Sequence, residues 1–333
     1  MNRAVIIEAI GGPEVLRLAE RDPGAPGAGQ LRIRVAAAGV NFIDVYFRTG
    51  LYPRPLPFVA GLEGAGRVEA IGPDVAGVAG GDRVAWASVP GSYADVVVAP
   101  AAAVVPVPDT VPDDAAAAAM LQGMTAHYLV YAIRPPEPGG TALVHAAAGG
   151  TGLLLVQMLK AAGMRVVGTC GSAEKVALVQ GAGADLVVRY DDADFVAAAR
   201  DATGGRGVDV VYDGVGRATF DKSLACLRPR GLLALFGQAS GPVPPFDLQR
   251  LNAGGSLVVT RPSLAHFVAT REELLMRARV VLGAVAQGRL HVRIGARFPL
   301  ADAAAAHRAL ESRATTGKVL LLPGATRDRG RSA

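Results

Sequence analysis

Five short apolar runs, at residues 4–8, 31–37, 66–71, 83–87 and 93–99, are spaced by turn clusters such as Asp22-Pro23-Gly24 and Gly80-Gly81-Asp82. Runs of that length between glycines and prolines predict strands, here a compact, barrel-like β domain. From about Gly123 the rhythm changes. Apolar runs at 141–146, 165–169, 186–189, 208–213, 232–236 and 256–260 alternate with other segments, among them 152–162, 173–180, 193–202 and 220–227, whose apolar residues recur every three or four positions. That alternation predicts six parallel strands covered by helices, a doubly wound sheet. After Pro262 come a helical stretch at 271–287, an apolar run at 297–300, a short helix around His307 and a last strand at 318–322. This tail is too small to stand alone and is expected to rejoin the first domain. The expected division is therefore 1–122 with 263–333, and 123–262 inserted between them. Residues from about Thr326 are expected to be disordered.

The length of 333 residues fits two domains. Hydrophobic residues at 51% against charged residues at 19%, with 42 glycines, point to packed helices on a buried sheet and exclude a disordered chain. The net charge of +5 owes two units to Arg327, Asp328, Arg329 and Arg331, and only four lysines occur. No basic run is interleaved with aromatics, so a nucleic-acid partner is not expected. Residues 139–159 contain no Asp, Glu, Lys or Arg and are long enough to span a bilayer. Their centre, Ala148-Gly149-Gly150-Thr151-Gly152, is a poor helix interior and a good tight turn, so membrane insertion is not expected. The start, Met1 to Glu8, meets a carboxylate too early for a signal-peptide core. With Cys170 and Cys226 as the only cysteines, a disulfide framework is absent and a reducing cytoplasm is the expected location.

The turn Ala147-Ala148-Gly149-Gly150-Thr151-Gly152 lies between a predicted strand and a predicted helix, the context in which glycines admit a pyrophosphate. The helix start behind them offers unpaired N–H donors and about half a positive charge. An NAD site usually ends its second strand with a carboxylate for the ribose diol. Here the segment reads Gly168-Thr169-Cys170-Gly171-Ser172-Ala173-Glu174-Lys175, and Glu174 falls inside the next helix. Ser172 can donate a hydrogen bond, and Lys175 can set a cation beside a 2′-phosphate. Spacing alone reads Lys175 equally well as a solvated helix residue.

Catalytic zinc requires clustered thiolate or imidazole ligands. No cysteine precedes Cys170, and His127, His145, His266, His291 and His307 are scattered singly, so no metal is expected. Gly91-Ser92 lacks the strand–serine–helix elbow of a hydrolase.

Several longer motifs now share one likeness. Gly11-Gly12-Pro13-Glu14-Val15-Leu16, Gly39-Val40-Asn41-Phe42-Ile43-Asp44 with Tyr46, Gly50-Leu51-Tyr52-Pro53 and His145 through Gly152 resemble the quinone oxidoreductase (zeta-crystallin-like) branch of the zinc-free medium-chain dehydrogenase/reductases. Val211-Tyr212-Asp213-Gly214-Val215-Gly216, Thr260-Arg261-Pro262-Ser263-Leu264 and the run from Leu310 to Lys318 extend it almost to the C-terminus. The resemblance implies an α/β chain: a GroES-like β-rich domain plus a Rossmann doubly wound parallel six-stranded sheet. Zinc-containing cousins place a ligand cysteine where this chain has Asn41, and Gly-His-Glu where it has Gly61-Leu62-Glu63.

The implied cofactor is NADPH. Asn41, Phe42, Ile43, Asp44, Tyr46 and Tyr128 would lie near the nicotinamide and its ribose, and Gly150 and Thr151 at the pyrophosphate. Gly171, Ser172, Lys175 and Tyr190 would surround the adenosine 2′-phosphate. Phe236, Gly237, Gln238, Ala239, Pro262, Ser263, Leu264 and Arg313 would close around the nicotinamide and bridging phosphates. A homodimer is implied. Bacterial relatives often have Lys where this chain has Gln122 and Ser where it has Gly214.

The expected activity is hydride transfer from NADPH to a quinone without a metal, with Asn41, Tyr46 and Tyr52 lining the catalytic site as donors to the developing quinol oxygen. Two alternatives stand beside it. One is NADPH-dependent reduction of an alkenal or enone C=C bond on the same scaffold. The other is a non-catalytic NADPH-binding sensor.

Overall fold

The structure is a computed structural model and describes residues 1–190 and 192–325. The tail from Thr326 lies outside the described residues. The chain divides into two compact units: Met1–Leu121 with the chain from Val268 onward, and Gln122–Phe267.

In chain order, the first unit begins with β1 (Arg3–Ile7), β2 (Arg17–Glu20), β3 (Gln30–Val40), α1 (Phe42–Arg48), β4 (Phe58–Val59), β5 (Glu63–Ile71), β6 (Arg83–Trp86), β7 (Val96–Pro100) and β8 (Val105–Pro106), followed by α2 (Asp113–Tyr128), which begins in the first unit and ends in the second. The second unit continues with β9 (Thr141–Val144), α3 (Gly150–Ala161), β10 (Arg165–Cys170), α4 (Ala173–Gly181), β11 (Leu186–Arg189), α5 (Phe195–Asp201), β12 (Val208–Asp213), α6 (Phe220–Cys226), β13 (Leu227–Leu235), α7 (Gln249–Ala253) and β14 (Val258–Thr260). The return to the first unit supplies α8 (Arg271–Ala286), β15 (Ile294–Pro299), α9 (Ala303–Glu311) and β16 (Lys318–Leu322).

β3 organises the first unit. Eleven residues long, it pairs antiparallel with β5 on one side and with β7 and then β16 on the other. Alternation along Leu31, Ile33 and Val35 turns these side chains into a core that also takes Trp86, Tyr93 and Leu321. The Trp86 indole N–H is satisfied there by the Ser92 hydroxyl at 2.8 Å.

In the second unit all six strands run parallel, in the order β11-β10-β9-β12-β13-β14. Numbered within the sheet this is 3-2-1-4-5-6, the Rossmann order, with its topological switch beside β9. The strands are apolar throughout because both faces are covered, as in Ala142, Leu143 and Val144 of β9, none of which reaches solvent.

Two helices in the N-terminal region add to the β-rich reading. α1 is seven residues long and is defined by its capping box. In α2 the run Ala116 to Met120 is buried on every side, so it carries no amphipathic period to read. Its first turn holds Asp113 and Asp114, favourable against the helix dipole and paired with Arg83 and Arg297. Among the described residues no helix is long and apolar enough to cross a membrane.

Candidate functional site

At the top of β9 the chain leaves the sheet through Ala146, whose φ of +49° is left-handed. It then turns through Gly149, the N-cap of α3, which supplies no side-chain cap. The first-turn amides of Gly150 and Thr151 therefore lack a side-chain acceptor from the cap, the arrangement that receives an anion. Gly152 is required by crowding: a Cβ there would stand 2.5 Å from the Ala146 carbonyl oxygen and 2.7 Å from Ala147 Cα. At Gly150 a Cβ would meet the Gln122 side chain at 1.8 Å, so Gln122 backs the turn.

β10 ends at Cys170 without a carboxylate. A Cβ on Gly171 would meet nothing within 4 Å, leaving open space where the adenosine end of a dinucleotide would lie. Ser172 begins α4 without using its hydroxyl as a cap, and Lys175 is half-buried one turn on. Tyr190 directly follows β11. Its hydroxyl accepts the Ala146 N–H at 3.1 Å and the Thr169 hydroxyl at 2.7 Å, which ties the glycine turn to β10, and its ring packs against His145 and Phe195. Burial pushes its pKa up to about 12, so it stays a neutral phenol.

The same polar chain continues inward. His145, buried, bonds Thr169 at 2.9 Å and Ser223 at 3.0 Å, and Ser223 donates to Asp213 at 3.0 Å. Asp213 also receives the Val215 and Gly216 amides and the Thr219 hydroxyl. It thereby fixes the loop after β12. Against that loop lies Phe236, whose N–H donates to the Asp213 carbonyl; a Cβ on Gly214 would stand 2.9 Å from its ring. The lack of a side chain at Gly214 thus makes room for Phe236. Gly237 and Ala239 donate their amides to Asp213 and Gly214, which places Gln238 in the same turn. Pro262 is buried, while Ser263 is exposed and Leu264 opens a short 3₁₀ turn. Phe267 at the end of that turn stacks on Tyr128 with centroids 4.3 Å apart and an interplanar angle of 2°. Tyr128 is almost completely buried, and burial raises its hydroxyl pKa far above the usual range.

In the first unit, α1 brings Phe42, Ile43, Asp44 and Tyr46 together. Tyr46 and Tyr52 pack edge to face at 5.2 Å, and the Tyr52 N–H donates to the Tyr46 carbonyl. Asn41 is buried and its amide is committed: Nδ2 donates to Glu63 at 2.8 Å and to the Gly39 carbonyl at 3.3 Å, and Oδ1 accepts from Lys318 at 2.7 Å. Asp44 turns inward. Its Oδ2 accepts the Asn41 N–H at 2.9 Å and the Tyr93 hydroxyl at 2.8 Å, while Oδ1 has no hydrogen-bond partner among the described residues. Arg313 ends the turn after α9 in a left-handed conformation, exposed.

A directional wire leads away from Asp44. Arg48 has only donors, so its contact at 3.1 Å makes His307 Nδ1 an acceptor and leaves Nε2 to donate to Tyr93, which in turn donates to Asp44. Burial, with Arg48 adding to it, pushes the His307 pKa down to about 3, in keeping with a neutral ring. Arg48 closes the wire through two bonds of 2.8 Å to Glu311. Sequence reasoning assigned no role to Glu63, Tyr93, Arg48, His307 or Lys318. One signal was legible: a lysine heading the otherwise apolar strand Lys318-Val319-Leu320-Leu321-Leu322, in a chain with four lysines.

Burial raises Asp44 to about 6, against the lowering effects of the Asn41 amide, Tyr93 and Lys318. The folded value stands above the unfolded one, so this group's contribution to stability is fully present below about pH 4 and is lost as pH rises through 6. Asp44→Asn is therefore expected to gain stability relative to the wild type by about 2–3 kcal/mol between pH 4 and pH 7. Urea denaturation at both pH values measures the difference. A constant difference would show that Asp44 ionises normally.

Among the described residues no group of three or more His, Cys, Asp or Glu side chains is arranged to hold a metal. Glu63 is taken up by Lys318 and Asn41.

Comparison with known proteins agrees with this geometry. Residues 27–109 match the alcohol dehydrogenase GroES-like domain and residues 150–274 the zinc-binding dehydrogenase domain. Fold, glycine turn and both matches define a two-domain dehydrogenase of the medium-chain type. A mycobacterial protein solved in complex with NADPH is 51% identical with a TM-score of 0.94, over 96% of this chain and 100% of that one. The quinone oxidoreductase of Pseudomonas aeruginosa is 43% identical over 97% of this chain and 100% of its own length. A 2-haloacrylate reductase from a Burkholderia species is 41% identical over 98% of this chain and 100% of its own. The chain belongs to the quinone oxidoreductase family of the medium-chain dehydrogenases/reductases.

Proposed function

We propose that this protein is an NADPH:quinone oxidoreductase working without a metal. The observation that carries the reading is the pairing of a glycine turn built for a pyrophosphate with a second strand that ends in Gly171 and Ser172 rather than in a carboxylate. A carboxylate there would bond a ribose diol and repel a 2′-phosphate; Ser172 and Lys175 would instead bond it. The relatives solved with NADPH or named quinone oxidoreductases support the same reading.

When bound, NADPH supplies the hydride that, with one proton from solvent, reduces a quinone to its quinol. The amides of Gly150 and Thr151 would hold the pyrophosphate. Phe236, Gly237, Gln238, Ala239, Pro262, Ser263, Leu264, Tyr128 and Arg313 would border the nicotinamide and bridging phosphates, and Tyr190 would carry the adenosine side from behind the turn. In the first unit, α1 would present Phe42, Ile43 and Tyr46 beside the reacting ring. Asn41 Nδ2 donates to Glu63 and Gly39, which supports an anchoring role for Asn41 in that segment, and Tyr46 and Tyr52, packed edge to face, would line the site beside the quinol oxygen. The donor set supports the metal-free reading, because the buried Glu63 carboxylate is paired with the Lys318 ammonium.

The division into a catalytic domain (1–122 and 263–333) and an NADPH domain (123–262) belongs to the same proposal, as do a cytoplasmic location and a homodimer. Two unpaired buried cysteines accord with a reducing compartment. β14 is a sheet edge with Val258 half exposed, the kind of edge that pairs with a second copy across a twofold axis.

The test is oxidation of NADPH, with NADH in parallel and a chelator present, against benzoquinones, naphthoquinones and enones. Turnover with quinones that prefers NADPH is expected. Turnover confined to enones would replace the acceptor with an activated C=C bond, a reading that the 2-haloacrylate reductase relative favours. NADPH binding without turnover would leave the sensor. Lys175→Ala is expected to raise the Kd for NADPH about 10–100-fold, the worth of a charge-assisted bond, while that for NADH barely changes. Equal losses for both cofactors would remove Lys175 from the 2′-phosphate.

A further inference from the structure

Lys318 opens β16 with its ammonium fully buried, against a Glu63 carboxylate that is equally buried. The ammonium bonds Glu63 Oε2 and, at 2.7 Å, Asn41 Oδ1. The same Oε2 accepts Asn41 Nδ2, and Glu63 Oε1 accepts the Leu121 N–H of α2 at 2.6 Å. Four elements of the first unit meet in this knot: the end of β3, the start of β5, α2 and β16. Backbone space is reserved for it, since a Cβ on Gly39 would stand 2.2 Å from Glu63 Oε2 and 2.8 Å from Lys318 Cε.

Stability does not account for such a knot. Replacing a buried ion pair by apolar side chains of similar volume is often neutral or stabilising. What apolar side chains cannot do is orient an amide. The ammonium draws Oδ1 of Asn41 and the carboxylate draws Nδ2, so the two charges settle which way the Asn41 side chain points. Asn41 is also the N-cap of α1, whose capping box runs through its backbone N–H to Asp44. The direction in which α1 leaves β3, and with it the place of Tyr46 one turn on, is thereby set from Lys318.

We infer that Lys318, acting through Glu63 and Asn41, is a positioning residue for hydride transfer. The inference rests on the proposal that α1 presents Tyr46 beside the reacting ring.

The experiment compares wild type with Glu63→Gln/Lys318→Met, which removes both charges together. Thermal unfolding, the Kd for NADPH, kcat with a quinone and the anisotropy decay of bound reduced nicotinamide are measured on each. The double variant is expected to fold and to bind NADPH within about threefold of wild type. Its kcat is expected to fall about 10–100-fold, the scale of a small misplacement of reacting groups, and its nicotinamide to reorient faster. Wild-type kcat and wild-type decay in a folded double variant would overturn the inference. Should the double variant not fold, Glu63→Gln alone keeps an oxygen for the ammonium and is expected to shift both readouts in the same direction by less; unchanged readouts there would likewise overturn it. If the wild type itself reduces no quinone, the proposed function fails at that point, and the anisotropy decay still decides the role of Lys318.

Discussion

Gly152→Ala is expected to weaken NADPH binding by about a hundredfold, the sum of a strained turn and one lost phosphate bond. The added methyl would press on the Ala146 carbonyl and on Ala147 Cα and carbonyl carbon, all within 2.8 Å. None of these is a side chain that can swing aside. Relief requires α3 to move away from β9, which carries the amides of Gly150 and Thr151 off the pyrophosphate. Gly150→Ala should cost less, since it meets the Gln122 side chain rather than backbone. Gly181→Ala, where a Cβ meets nothing within 4 Å, is the control. Titration of nicotinamide fluorescence measures all three. Binding by the Gly152 variant as tight as by the Gly181 variant would place the pyrophosphate elsewhere.

Arg48→Met is expected to lower stability by about 3 kcal/mol, roughly 6–12 °C in Tm for a unit of this size. The guanidinium is only 1% exposed and bonds Gly11, His307 and both oxygens of Glu311. Methionine fills much of its volume but leaves a buried ring nitrogen and a carbonyl without a donor. The loss stays at the lower end of the range for a broken buried pair because Glu311, at 32% exposure, regains water. Because α9 leads to Arg313, NADPH affinity is expected to fall as well, by about threefold to tenfold. A Tm within about 2 °C of wild type would show that the wire from Arg48 to Asp44 carries little energy.

The Rossmann half was legible because each of its elements carries its own period. The predicted runs at 186–189 and 208–213 coincide with β11 and β12, and the others shift by a few residues at their ends. The run at 141–146 stops at Val144, since the left-handed Ala146 already belongs to the turn. α2 escaped the same reading because a helix buried all round has no polar face to mark it. α1 escaped because seven residues between strands are too few to show a period, and only the Asn41–Asp44 box announces it.

The site was legible as a set of positions and much less as a set of directions. That glycines follow β9, that no carboxylate ends β10 and that aromatics cluster around residue 46 are properties of the chain order, which local backbone preference and composition determine. Whether Asp44 faces a cofactor or Tyr93, whether Tyr190 offers its hydroxyl or its ring, and whether Asn41 has a hydrogen to give depend on partners 20 to 280 positions away, such as Glu63, Tyr93 and Lys318. Burial raises the cost of every unmet polar group in such places, so each side chain turns to the partner that the packed strands put within reach. The amino-acid sequence by itself determined the two folds, the glycine turn and the kind of cofactor end it suits. Only the tertiary structure decided which polar atoms are spent on holding α1 and which are left for chemistry, because that choice is made between residues that meet only once the sheets have formed.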